Sequence, residues 1–238
     1  MDTDASIRIR DNVAEVMQRM ADAAQRAGRA ADDVRLVAVT KYVDTDVIRA
    51  VINAGCCDLG ESRPQALWSK VAELGDDVSV RWHMIGHVQR NKLRRTLPLV
   101  SLLHSADSVR LLKELDRQAD SLQRTVEVLI EINVSGDAAK HGFEPAAVRE
   151  LLDQLPLWKN VRVRGLMCMG AREGGIERAR RDFATLRELR DELRPVCPDG
   201  ASLDELSMGM SGDFEAAIAE GATIVRVGSA LFRGVHDE

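Results

Sequence analysis

Eight short apolar runs rich in β-branched residues recur along this chain, at 34–40, 57–60, 78–84, 99–104, 126–134, 161–167, 203–208 and 223–227. Each is too brief to be a helix of its own. Each gives way to a capping or turn residue and then to apolar residues at the three-and-four spacing of one helical face. Asp44 caps a segment carrying Val47, Ile48, Val51 and Ile52 that Gly55 closes, Pro64 stands at a first turn, and Leu111, Leu112 and Leu115 follow Asp107. Val148, Leu151 and Leu155 after Pro145 mark another helix, as do Ala179, Phe183, Leu186, Leu189 and Leu193. Strands that alternate with helices form a parallel sheet, because a parallel return needs a connection about as long as a helix.

Eight such units in 238 residues match a single closed (β/α)8 TIM barrel near the lower size limit of that α/β fold. A doubly wound open sheet needs fewer strands and usually a Gly-x-Gly-x-x-Gly after the first, which this chain lacks. An extra N-terminal helix leads the barrel, with Ile9, Val13, Val16, Met17, Met20 and Ala24 on one face and Gly28 at its end. No Pro/Gly/Ser-rich linker or low-complexity tract interrupts the pattern, so residues 1–238 read as one domain.

Only eight residues are aromatic and the formal net charge is -5, so neither a base-stacking platform nor a broad phosphate-attracting field is present, and nucleic acid is not expected as a partner. No apolar run approaches the roughly 18 residues of a spanning helix. The acidic start Met1-Asp2-Thr3-Asp4 is unlike a secretory signal, so a cytoplasmic protein without membrane association is expected. Cys56 and Cys57 are adjacent, and Cys168 and Cys197 stand apart, a spacing that makes no zinc pair and points to reduced thiols.

Barrel chemistry sits at the C-terminal ends of the strands. Lys41 stands at the first such exit behind a wholly apolar run, where a low dielectric lowers an amine's pKa and makes a Schiff base accessible. A lone lysine in that place is most often a solvated loop residue, so Lys41 alone proves little. The seventh exit reads Ser207-Met208-Gly209-Met210-Ser211-Gly212-Asp213, and the eighth Arg226-Val227-Gly228-Ser229 opens a short final helix. Glycine loops at these two adjacent exits form the usual phosphate site of this fold. A Schiff-base lysine on strand one facing a phosphate cradle on strands seven and eight suits pyridoxal 5'-phosphate, with Arg226 reaching the pyridine nitrogen and disfavouring its protonation. Glu61, Ser62, His83, His104 and Asn133 are further polar exits, of which His83 is expected in the cofactor pocket wall. His83 and His87 lie four apart, but Gly86 and the strand context break the helical geometry a metal pair needs, and no metal is expected.

These residues fall in a longer series of motifs. Ala38-Val39-Thr40-Lys41, Leu59-Gly60-Glu61, the run from Trp82 to Lys92, Asn133-Val134-Ser135-Gly136, Lys140-His141-Gly142-Phe143, Arg164-Gly165-Leu166-Met167, Leu206-Ser207-Met208-Gly209-Met210-Ser211 and Val225-Arg226-Val227-Gly228 occur in order along nearly the whole chain. In this the sequence resembles the pyridoxal phosphate homeostasis protein family. The resemblance implies an alanine-racemase-like barrel, of the fold type III class, that binds pyridoxal 5'-phosphate covalently, has no established turnover, and serves the free cofactor pool as a reservoir or delivery protein. Free cofactor and the apoenzymes that need it are the implied partners. It puts Lys41 at the Schiff-base position, Ser207, Gly209, Ser211, Gly228 and Ser229 on the phosphate motifs, and Arg226 opposite the ring nitrogen. Ser62-Arg63 departs from the family's usual Asn-Tyr after Gly-Glu.

Two other readings compete. A weak amino-acid racemase needs a lysine and a tyrosine on opposite faces of the substrate carbon. The one tyrosine, Tyr42, directly follows Lys41, and neighbours in an extended segment point to opposite sides, so it is expected outside the pocket. With ten residues given after Gly228, the second domain that racemases of this fold carry is not expected. A phosphate-binding barrel enzyme without a cofactor would need Lys41 to act only as a charge.

Overall fold

Strand β1 (Arg35–Val39) turns Leu36 and Ala38 outward to the helices and Val37 inward, so both of its faces are covered, as a parallel strand requires. The computed structural model describes residues 3–75, 79–137, 141–170 and 174–235. After β1 the strands are β2 (Asp58–Glu61), β3 (Arg81–Met84), β4 (Leu102–Ala106), β5 (Val126–Glu131), β6 (Val161–Met167), β7 (Glu205–Ser207) and β8 (Ile224–Val227). Parallel neighbours close a barrel in sequence order, and β8 returns to β1 with Arg35 opposite Ile224 and Ala38 opposite Val227. The expected (β/α)8 barrel is what the chain forms. The start of the expected third strand, at Val78, lies outside the described residues.

The helices follow the capping signals. Asp44 accepts the Val47 N–H at 2.9 Å to start α2 (Thr45–Asn53), and Pro64 opens α3 (Pro64–Leu74). A short α4 (Leu93–Thr96) precedes β4. Ser108 rather than Asp107 caps α5 (Val109–Ser121), α6 (Val148–Gln154) follows Pro145, and α7 (Gly175–Leu193) and α8 (Phe214–Ala219) complete the ring. The leading helix α1 (Thr3–Arg26) buries Ile9, Val13, Val16 and Met20 and packs on α8 and α2, outside the barrel. No helix among the described residues is long and apolar enough to cross a membrane.

Two local departures bear on the site. The expected fifth strand stops at Glu131 because Ile132 pairs with Phe143 from the following loop, with Phe143 N–H donating to Glu131 O at 2.8 Å. Gly142 makes that approach possible. Its φ is +113°, and a Cβ there would stand 2.9 Å from the backbone of Asn133 and Glu131. At the eighth exit the expected final helix does not form: residues 229–235 make successive turns. No helix dipole therefore reinforces an anion at that exit.

Inside the barrel Val37, Leu102, Leu129, Met167 and Ile224 form a small apolar layer with Ile85 against it, separate from the larger core between strands and helices. Above and beside this layer the interior is polar, and it contains the residues of the site.

Candidate functional site

A cavity of about 530 Å³ opens at the C-terminal ends of the strands, within the usual range for small-molecule sites. Lys41, Ser211, Arg226, Gly228 and Ser229 line it together, from the exits of β1, β7 and β8. These are the first, seventh and eighth exits, which closure of the barrel makes adjacent. Ser207, Gly209 and His83 do not line it.

Lys41 sits in a turn and is exposed, with its Nζ over the Tyr42 ring at 4.7 Å from the centroid. The expected enclosure in an apolar mouth is therefore not what surrounds it. Tyr42 is a second correction: it lines the same cavity as Lys41, because the chain turns after Thr40 instead of running on extended. The turn is anchored from below. The Thr40 carbonyl accepts from Lys70 Nζ at 2.6 Å, and the same ammonium pairs with Glu61 Oε2 at 2.6 Å. Glu61 is fully buried, and its Oε1 accepts the Ser62 N–H at 2.6 Å, which sets Ser62 on the cavity wall while Arg63 stays exposed. Glu61 thus pins two strand exits and does not enter the cavity.

The loops after β7 and β8 are joined by Ser211, whose Oγ accepts from the N–H of Gly228 at 3.1 Å and of Ala230 at 3.4 Å. Gly209 has φ +92°, and a Cβ on it would come within 2.6 Å of Ala217 Cβ, so this loop needs glycine to turn over α8. Asp213 also faces this loop, with Oδ1 taking the Met210 N–H at 2.6 Å, and burial pushes its pKa up.

Beneath the cavity lies a set of buried polar groups. Arg226 Nη1 donates to Ser207 Oγ at 2.6 Å and Nη2 to the Cys168 carbonyl at 3.0 Å. Ser207 Oγ lies 2.8 Å from His104 Nδ1, His104 Nε2 lies 2.9 Å from His83 Nδ1, and His83 Nε2 lies 2.8 Å from Asp58 Oδ1. His83 therefore leaves its expected place in the wall: β3 is short, and the ring points along the barrel interior to Asp58 and a cleft at the strands' N-terminal ends. His104, an expected pocket candidate, is buried in the same row, and Asn133 turns to the Asp137 carbonyl at 2.8 Å.

Glu131 lines the cavity, and sequence reasoning passed over it. Its pKa is pushed up to about 7, by burial first and by the Asp107 carboxylate second, against the opposing pull of Arg226 and His87. A carboxylate between Ile130 and Ile132, inside an apolar run, was the available signal. At the rim His87 Nδ1 meets Asp107 Oδ2 at 2.8 Å, and the His141 ring stacks on His87 with centroids 4.9 Å apart. The metal-ligating types that the described residues bring together are thus His87, Asp107 and His141, whereas His83 and His87 part to opposite ends of the barrel. Lys140, next to His141 in the motif series, lies outside the described residues.

The alanine racemase N-terminal domain family model matches residues 8–235. A pyridoxal phosphate homeostasis protein of Pseudomonas aeruginosa is 42% identical over 234 residues, covering 96% of each chain. One of Aquifex aeolicus is 40% identical over 222 residues, 93% of this chain and 96% of the relative. Among solved structures, PipY of Synechococcus elongatus with PLP bound superposes with TM-score 0.82 at 34% identity over 94% of this chain and 99% of that one. A site built on one barrel, a family model spanning nearly all of it and relatives matched end to end agree: the chain belongs to the pyridoxal phosphate homeostasis protein family, of the alanine-racemase-like barrels.

Proposed function

We propose that this chain binds pyridoxal 5'-phosphate in the cavity above Arg226, with Lys41 as covalent anchor, and keeps it as a reserve for apoenzymes that need it. The observation that carries this reading is that Lys41, Arg226 and both glycine loops open onto one cavity of about 530 Å³. The names of the relatives and the PLP-bound PipY support it. The donor set suits the group: an accessible amine for an aldehyde, a cation for a ring nitrogen, and backbone N–H groups with serine hydroxyls for a phosphate.

When bound, the cofactor supplies an aldehyde and a pyridine ring able to draw electrons from an attached amine. Lys41, exposed at the cavity, would hold the aldehyde end through its amine, the one group there among the described residues able to join it as a Schiff base with loss of water. Gly228, Ser229 and Ser211 hold the phosphate, and Gly209 shapes the loop that brings Ser211 there. Arg226, a permanent cation, keeps a proton off the ring nitrogen by repulsion and so limits electron withdrawal, which favours storage over turnover. Tyr42 shares a wall with Lys41 rather than facing it across the cavity, which removes the familiar opposed base.

Purified protein with added cofactor should show visible absorption that borohydride fixes at Lys41, as mapped by mass spectrometry. Undiminished absorption in Lys41→Ala would overturn the covalent anchor. A weak racemase is the second reading, favoured by Glu131, whose pKa near 7 suits an acid or base. Solvent deuterium entering the α-carbon of alanine for many turnovers, and lost in Glu131→Gln, would establish it in place of the reserve.

A further inference from the structure

Four consecutive hydrogen bonds run through the barrel interior from Asp58 on β2, through His83 on β3, His104 on β4 and Ser207 on β7, to Arg226 on β8. All five residues are at most 5% exposed, so no bulk water replaces a lost link. The row has chemically distinct ends. Asp58 is also gripped by Arg81, Nε to Oδ1 at 2.7 Å and Nη2 to Oδ2 at 2.5 Å, at the N-terminal mouth, where Arg35 and Glu205 also lie. Arg226 borders the cavity at the other mouth, near Glu131.

Hydrogen-bond chemistry allows this row one sense when its imidazoles are neutral. Burial raises the Asp58 carboxyl, but the bonds from Arg81 and His83 outweigh it and hold the group well below the usual carboxylate range, so Asp58 only accepts. His83 must then donate through Nε2–H, which leaves Nδ1 as an acceptor and requires His104 to carry its proton on Nε2. Burial keeps His104 neutral, so its Nδ1 accepts, and the Ser207 hydroxyl donates to it. The lone pairs of Ser207 Oγ are then free for Arg226 Nη1–H.

We propose that His104 and His83 are positioning residues for Arg226: threaded in one sense between Asp58 and Ser207, they hold the Ser207 lone pairs toward the guanidinium and so fix it at the cavity floor. Reversed, Ser207 Oγ would accept from both His104 and Arg226, and its own buried proton would lose the acceptor that His104 Nδ1 provides. The consequence for the cofactor rests on the function proposed above, whereas the geometry of the row does not.

Long-range 15N–1H spectra of cofactor-free wild-type protein at pH 7 test the row directly, with His83→Gln and His104→Gln assigning the two rings. His104 should carry its proton on Nε2 and none on Nδ1; an Nδ1–H form of His104 overturns the proposal. With cofactor added, His104→Leu should weaken binding by about tenfold, the size of one hydrogen bond, because Ser207 loses the acceptor that turns its lone pairs to Arg226. It should also shift the bound absorption band, and His104→Gln, which can both accept and donate, should recover most of each effect. A folded His104→Leu with wild-type affinity and spectrum overturns the proposal as well. If wild-type protein binds no cofactor while the tautomers are as stated, the cofactor reading fails and the threaded row stands.

Discussion

Glu61 and Lys70 meet at 2.6 Å with both side chains nearly sealed, and the ammonium also holds the Thr40 carbonyl beside Lys41. Removing one partner leaves the other charge buried and alone, so Lys70→Met should cost about 3–5 kcal/mol in urea unfolding. It should also weaken cofactor retention by loosening the turn that carries Lys41. Glu131 makes the converse case. Its folded pKa of about 7 lies above the ordinary 4.5, so folding favours the protonated carboxyl. The stability this contributes is complete below pH 4.5 and is lost as the pH rises through 7, by roughly 3 kcal/mol at most, less where cavity water relieves the burial. Urea unfolding at pH 5 and pH 8 should therefore show wild-type protein losing stability on the alkaline side, and Glu131→Gln losing much less. That Lys41, Ser211, Arg226, Gly228 and Ser229 meet at one end of the barrel was legible because strand exits and glycine loops are local patterns. Glu131 was not, because its perturbation comes first from burial in the closed barrel and then from Asp107, a neighbour on another strand exit.

At the scale of elements, each strand was visible in its apolar run, and its ends were less so. The run 126–134 contains no breaker, and only the pairing of Ile132 with Phe143 ends the strand early. Tyr42 was misplaced for a related reason: alternation of side chains holds within a strand, and β1 ends at Val39 before the chain turns. Close approach of strands depends on glycine at one place above all. A Cβ on Gly165 would lie 1.9 Å from the Glu205 carbonyl oxygen, so β6 and β7 pair in register only without it. Gly165→Ala should lower stability by about 3 kcal/mol or more, since the atom it meets is backbone and cannot swing aside. Gly212→Ala, with no atom within 4 Å of the new Cβ, should change the midpoint of thermal unfolding little, within roughly 0.5 kcal/mol. Equal losses in the two variants would show that β6 and β7 do not approach as described.

For the molecule as a whole, a ligand that binds only the folded barrel stabilises it by mass action. Cofactor at a hundred times its dissociation constant should add about 2.7 kcal/mol, which for a chain of this size raises Tm by roughly 5–10 °C. Lys41→Ala should keep only the part that noncovalent contacts supply, and a scan of Tm against cofactor concentration measures both. The order of strands and helices, the closed barrel and the strand exits that face one another were determined by sequence alone, because alternating burial and capping act over a few residues. Tertiary structure alone decided what fills the barrel. Asp58, His83, His104, Ser207 and Arg226 come from five separate strands, and nothing local to any of them tells of the others. They form one row because closure removes water from all of them at once, and each buried donor and acceptor must then find its partner across the interior.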